Sequence, residues 1–124
     1  MSPLISQNQL ERSKKEEKFI LLTAEQVRKD FAMFGMEVIF SGNASLAYEE
    51  LFDQLNVYIE QLYIDNYEKL MSLLYQIDVS QQELIKPVTE QNFKTVPESI
   101  THKILERELK KVLTRAYFKE KGNN

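Results

Sequence analysis

The apolar positions in the middle of the chain recur at the spacing of an amphipathic helix. Between Ala44 and Tyr63 they form two neighbouring lines, at 44, 48, 51, 55, 58 and 62 and at 47, 52, 59 and 63. On a helical period these lines merge into one apolar face about 160° wide. Such a width suits a bundle core better than the narrow seam of a two-stranded coiled coil. The pattern therefore predicts an all-α protein.

The same periodicity divides the chain into elements. Gly35 is placed to end the first helix in the left-handed conformation, and Thr95 with Glu98 forms a capping box that opens the last one. Ser80 opens a short helical turn, and a loop covers 88–96. The predicted architecture is a four-helix bundle with short connections. Its main helices are expected at roughly 16–34, 43–64, 66–78 and 97–120.

Two segments leave alternatives open. Thr23 with Gln26 could form a capping box, which would start a helix at Ala24 and make 19–22 a short strand. A lone strand needs a partner, so the continuous helix is preferred. The segment 36–40 has the composition of a strand, but five residues are too few for a sheet. We interpret it as an extended connector.

The first fifteen residues differ from the rest of the chain. Residues 1–15 are polar and charged with few apolar anchors, so we expect a disordered or frayed N-terminus, although a helix could begin at Ser6. The remaining residues, 16–121, are expected to form a single helical-bundle domain, since 124 residues suit one core.

Composition excludes several classes of protein. The chain has no cysteine, which rules out disulfides, a thiolate nucleophile and cysteine-ligated metal. No apolar run approaches the roughly 18 residues that span a bilayer. The segment 1–18 lacks the apolar stretch of a signal peptide. These features lead us to expect a cytoplasmic protein without a membrane partner.

Charge is distributed unevenly around a net value of −3. Residues 44–78 carry seven acidic side chains against one lysine, and residues 100–121 carry seven basic side chains against three acidic ones. Complementary helices within one bundle would explain this pattern. A basic C-terminal surface for an external anion or acidic partner is the second interpretation.

His102 is the only histidine and lies on one helix face with Glu98 and Glu106. A metal-using enzyme around His102 is a remote alternative, because a di-iron bundle needs a second histidine that this chain lacks. A histidine hydrogen-bonded to a carboxylate is the simpler interpretation. The three glycines cannot build a phosphate loop, and no nucleophile elbow is present. We therefore expect no enzymatic activity, no catalytic residue, no cofactor and no metal.

The last predicted helix carries a second row opposite its apolar arc. Repulsion between like charges four residues apart costs a few tenths of a kcal/mol per pair in an isolated helix, so a partner should offset it. An acidic helix of the same chain would do so, as would an acidic partner protein. The predicted partner-binding residues are Ile104, Arg107, Lys111, Arg115 and Phe118.

The sequence thus predicts a small non-enzymatic cytosolic protein that acts through protein–protein interaction. The expected partner is a protein with an acidic surface, and a second copy of the chain is among the candidates. The alternative is a nucleic-acid-associated regulator that uses the basic C-terminal helix. That alternative ranks lower because the chain is acidic overall, whereas dedicated nucleic-acid binders show a basic excess.

Overall fold

The computed structural model describes residues 5–14, 16–85 and 95–122. In these ranges the regular structure is entirely helical, which confirms the all-α prediction, and the packing of the helices fits a helical bundle. Most of the predicted loop over 88–96 lies outside the described residues. The elements are α1 (Gln7–Ser13), α2 (Glu17–Ala32), a 3₁₀ turn (Ala44–Leu46), α3 (Ala47–Asp65), α4 (Tyr67–Ile77), α5 (Gln81–Ile85) and α6 (Val96–Gly122).

Each of the four predicted main helices has a counterpart, in α2, α3, α4 and α6, with ends that differ by a few residues. Gly35 has a φ of 74°, and the amide of Met36 donates to the carbonyl of Phe31 at 3.0 Å, which closes α2 as predicted. The amide of Glu98 donates to Oγ1 of Thr95 at 3.2 Å, so Thr95 caps the start of α6 at the predicted position.

Helix α2 runs without a break through the proposed alternative start. Thr23 lies in its interior, and the hydroxyl donates to the carbonyl of Phe19 at 2.6 Å instead of capping a new helix. The alternative of a strand over 19–22 is therefore wrong.

The segment 36–40 is neither helix nor strand, in agreement with the extended connector. Met36 and Val38 point into the core, while side chains of α3 bind the backbone. The carboxamide of Gln54 binds both backbone groups of Ile39, and the hydroxyl of Tyr58 donates to the carbonyl of Glu37 at 2.7 Å. These bonds substitute for a neighbouring strand.

The core forms where α2, α3, α4 and α6 meet. Helix α6 packs antiparallel to α2. Lys111 pairs with Asp30, and Arg115, four residues later in α6, bonds to Gln26, four residues earlier in α2. The fully or almost fully buried apolar side chains at the centre are Val27, Phe31, Leu55, Ile59, Leu70, Leu73, Leu74, Ile77 and Ile104.

Helix α1 lies inside the segment for which a frayed terminus was expected. In the structure a helix begins directly after Ser6, and a capping box between Ser6 and Gln9 opens it. Leu10 is 1% exposed and forms a second apolar cluster with Leu109 and Leu113 of α6. Burial of one leucine on this short helix explains why it docks on α6. Among the described helices, none combines the length and the apolar composition needed to cross a membrane.

Candidate functional site: the basic row, the histidine cleft and the outer surface

The predicted basic row of α6 begins in the core. Ile104 is 0% exposed and belongs to the central apolar cluster, so it cannot anchor a partner. This corrects the prediction for Ile104, and the reason is geometric. The N-terminal half of α6 is covered on several sides by other helices, whereas the sequence pattern assumed only one covered face.

Two bases of the row bind carboxylates of the same chain. Nη2 of Arg107 lies 2.8 Å from Oδ2 of Asp78, and Nε donates to the carbonyl of Asp78 at 3.0 Å. Nζ of Lys111 lies 2.8 Å from Oδ2 of Asp30. These pairs offset the repulsion within the row, but neither carboxylate lies on α3. Asp78, which follows α4, is one of the seven acidic side chains of 44–78, whereas Asp30 belongs to α2, so complementary charges within the chain neutralise both bases.

A buried carboxyl group lies beside this pair. Glu108 is fully buried, and its Oε1 lies 2.6 Å from Nζ of Lys111. Burial raises the pKa of Glu108 to about 8, the nearby Asp30 adds to the rise, and Lys111 opposes it. Burial also acts to raise the pKa of Asp30, but hydrogen bonds from Glu108 and Lys111 outweigh it and lower that pKa. One signal for this site was available in the sequence, because Glu108 interrupts the apolar arc of α6.

A cleft of about 860 Å³ opens between α1, α2, the 3₁₀ turn, α3 and α6. His102 lies in its wall, with Tyr48 on one side and Glu106 on the other. The hydroxyl of Tyr48 lies 2.8 Å from Nδ1 of His102, and Nε2 of His102 lies 3.4 Å from Oε1 of Glu106. Both contacts are satisfied when Nδ1 accepts from the tyrosine and Nε2–H points to the carboxylate.

Lys14 of α1's C-terminal end completes this network. Its ammonium lies 3.2 Å from Oε2 of Glu106 and 3.1 Å from Oε1 of Glu11. Burial acts to raise the pKa of Glu106, but His102 and Lys14 together lower it to about 2. Glu106 is thus a carboxylate at any ordinary pH, and its charge is a fixed property of the cleft.

The chemistry of Tyr48 follows from its surroundings. Burial and the charge of Glu106 raise the pKa of Tyr48 to about 12. The side chain is therefore a neutral phenol at physiological pH and acts as a hydrogen-bond donor. An activated nucleophile would need a lowered pKa. The arrangement of tyrosine, imidazole and carboxylate is suited to binding.

The sequence brought His102 together with two glutamates, and the structure keeps one of them. Glu106 contacts the ring, in agreement with the simpler interpretation of His102 as a histidine beside a carboxylate. Glu98 instead bonds to Thr95 at the start of α6. Within the described ranges, no three His, Asp or Glu side chains are grouped so that they could hold a metal ion. Sequence reasoning placed Tyr48 on the apolar face of the long helix and favoured core packing for it, so it missed the contact with His102. It also missed Lys14, because both side chains reach the cleft from other helices.

Two charged surfaces face outward. The first, which we call the acidic stripe, runs along α3 at steps of four, four, three and four residues, so that its members share one helix face. All of them are exposed, with Val57 at 55% and Ile64 at 79%. The acidic stripe consists of Glu49, Asp53, Val57, Glu60 and Ile64.

The second surface, which we call the basic arm, is the C-terminal end of α6. From Arg115 to Glu120 every residue except Ala116 is exposed, and Phe118 is 49% exposed. Arg115 donates to Oε1 of Gln26 at 2.6 Å, and no ion pair of Arg115 or Lys119 occurs among the described residues. The basic arm consists of Arg115, Phe118 and Lys119.

Comparison with known proteins adds no relative. No protein-family model, no curated protein and no solved structure matches this chain.

Proposed function

We propose that this is a non-enzymatic cytoplasmic protein that acts by protein–protein contact, and that one partner is a second copy of the chain. In this proposal the basic arm of each copy packs on the acidic stripe of the other. The observation that carries the proposal is the complementarity of these two exposed surfaces. Each combines apolar side chains with a single sign of charge.

The basic arm supports the proposal because it contains the residues of the predicted row that other helices leave exposed. Arg115 and Phe118 are exposed, whereas Ile104 is buried and Lys111 is engaged with Asp30. Phenylalanine and arginine are both enriched where proteins bind one another.

The acidic stripe supports the proposal from the other side. Its carboxylates at Glu49, Asp53 and Glu60 alternate with Val57 and Ile64, so apolar contact and charge pairing are available along one face. Ile64 is the most exposed aliphatic side chain among the large hydrophobic residues of the described ranges. Exposed apolar positions that share one face with charges of one sign favour a contact with a complementary surface.

A reciprocal arrangement also explains the charge distribution of the sequence. The acidic side chains of α3 and the basic end of α6 would neutralise each other between copies, whereas Arg107 and Lys111 are neutralised within a copy by Asp78 and Asp30. A two-fold dimer makes each such contact twice, which doubles its contribution.

The nucleic-acid alternative has less support. Two of the three bases that it needs, Arg107 and Lys111, already bind carboxylates of the chain. Only Arg115 and Lys119 then remain on the described part of the basic helix as exposed bases of that face. Nucleic-acid binding draws its affinity mainly from many phosphate contacts, so few available bases predict weak binding.

Sedimentation velocity tests the proposal. We expect the wild type to sediment at twice the chain mass of 14.6 kDa at raised protein concentration and low salt, and to dissociate as salt screens the contact. Glu60→Lys should prevent association, whereas Glu37→Lys, a matched reversal at an exposed position outside the stripe, should not. A monomer for the wild type under all conditions would overturn the proposal, as would a dimer that Glu60→Lys leaves unchanged. Nuclease-sensitive polymer that copurifies with the protein would favour the alternative.

A further inference from the structure

The histidine cleft has no role in the proposed dimer. No residue of the acidic stripe or of the basic arm lines it, although α3 and α6 contribute other residues to its wall. Its volume of about 860 Å³ lies within the range of small-molecule sites.

The ionised groups of the wall favour a cation. Among the described residues of the wall, Glu11, Glu17 and Glu106 carry carboxylates and Lys14 carries an ammonium. Lys14 is already placed between Glu11 and Glu106, at 3.1 and 3.2 Å, so it is not available to bind an external anion. Within this described part of the wall negative charge exceeds positive charge, and that excess would attract a cationic ligand.

The remaining walls are apolar and aromatic. Leu51, Leu105 and Leu109 line one part of the cleft, and the ring of Tyr48 stacks on Phe52 with centroids 5.6 Å apart. Tyr48 is 44% exposed, so part of its ring is accessible. Aliphatic walls suit a hydrocarbon chain, and the face of a tyrosine ring attracts an ammonium group.

Pre-organisation of the carboxylate is the third observation. Glu106 is held by His102 on one oxygen and Lys14 on the other, and the imidazole is held in turn by Tyr48. Binding sites with locked side chains lose less entropy when a ligand enters. We propose that the cleft binds a small aliphatic polyamine, with an ammonium group near Glu106 and Glu11 and the methylene chain along the leucine wall.

Titration with spermidine, followed by NMR, tests this site. His102 is the only histidine of the chain, so its Cε1–H proton gives a single assignable signal inside the cleft. We expect spermidine to shift that signal in a saturable manner. Triethylene glycol, a neutral chain with the same number of heavy atoms, should not shift it.

Two substitutions separate the cleft from general attraction to an acidic protein. Glu106→Gln should weaken spermidine binding about tenfold or more, and Glu11→Gln, at a more exposed side chain, should weaken it without disturbing the fold. Glu49→Gln removes the same charge from the residue next to Tyr48 but outside the cleft wall, so it should bind like the wild type. Binding that is equally weakened by Glu49→Gln and Glu11→Gln, or a His102 signal that does not move, would overturn the proposal.

This result is independent of self-association. Glu60→Lys is expected to abolish the dimer but to leave the cleft and the His102 response intact. Spermidine binding in that monomeric variant would support the cleft even if the dimer proposal failed. Loss of the His102 response on Glu60→Lys would contradict the separation of the two sites.

Discussion

The carboxamide of Gln54 binds both backbone groups of Ile39. It accepts from the amide N–H at 2.8 Å and donates to the carbonyl at 2.6 Å, which is the pairing that a neighbouring strand would provide. One side chain on α3 thereby holds the segment 36–40 extended against the bundle. The segment can therefore have the composition of a strand without pairing with another strand.

Removal of this carboxamide should loosen the connector. We expect Gln54→Ala to lower the free energy of unfolding by about 1–2 kcal/mol, because two hydrogen bonds are lost while water can reach part of the exposed Ile39 backbone. Urea unfolding measures the loss, and Gln61→Ala, at an exposed position of the same helix, is the control. An amide of Ile39 that already exchanges without protection in the wild type would argue against the bond.

The core of α3 gives a second prediction. Leu55 is 0% exposed, at the centre of the apolar face that the sequence pattern predicted. Leu55→Ala should destabilise the protein by about 2–5 kcal/mol, since the cavity adds to the lost transfer energy. Val57→Ala, two residues away on the exposed side, should change stability by less than about 0.5 kcal/mol. Equal effects at the two positions in thermal unfolding would show that the core lies elsewhere.

Glu108 should make stability depend on pH. Its pKa is about 8 in the folded state, against an ordinary value of 4.5 in the unfolded chain, so at pH values between these two the folded state holds a proton that the unfolded chain releases. The corresponding stabilisation is fully present below about pH 4.5 and is lost as pH rises through about 8. The loss is on the order of a few kcal/mol.

Glu108→Gln removes this titration while keeping the shape of the side chain. Urea unfolding between about pH 5 and about pH 9 should show a falling stability for the wild type and a flatter profile for the variant, because the carboxyl group of Glu108 titrates in that window and a carboxamide does not. Asp30 has a lowered pKa and acts in the opposite direction, mainly below about pH 4, so it does not mask the effect. Parallel profiles for the two proteins would contradict the burial of Glu108.

The bases of the α6 row should differ in their effect on folding. Lys111→Gln removes the ammonium that faces Asp30 and Glu108, and we expect a loss of up to about 3–5 kcal/mol, as for one partner of a buried pair. Arg115→Gln changes an exposed position and should cost less than about 0.5 kcal/mol. Thermal unfolding of the two variants side by side distinguishes them, and equal stability would mean that Lys111 is not engaged in solution.

The sequence predicted the helices well because their signals are local. Apolar periodicity, the glycine at position 35 and the capping residues at Thr95 and Glu98 each act within a few residues of the element that they define. The site could be predicted only in part. Contact between His102 and Glu106 follows from their spacing in one helix, whereas Tyr48 and Lys14 reach the cleft through tertiary packing that no local pattern contains.

The basic row of α6 was likewise predictable from the sequence only in part. Helical spacing correctly placed Arg107, Lys111 and Arg115 on one face, but it could not say how far the neighbouring helices cover that face. Antiparallel packing of α2 along α6 supplies Asp30 to Lys111, the helices around the N-terminal part of α6 bury Ile104, and Phe118 is exposed. The uncovered remainder of the row is the basic arm.

The most direct test of the proposed dimer mixes two charge-reversed variants. Asp53→Lys with Glu60→Lys inverts the acidic stripe, and Arg115→Glu with Lys119→Glu inverts the basic arm, so each variant alone brings like charges together between copies. In the mixed dimer, the basic arm of the first variant meets the unchanged stripe of the second, and the reversed arm meets the reversed stripe. Sedimentation velocity should give monomers for each variant alone and a dimer for the equimolar mixture. Monomers in the mixture, or dimers of either variant alone, would contradict the contact between arm and stripe.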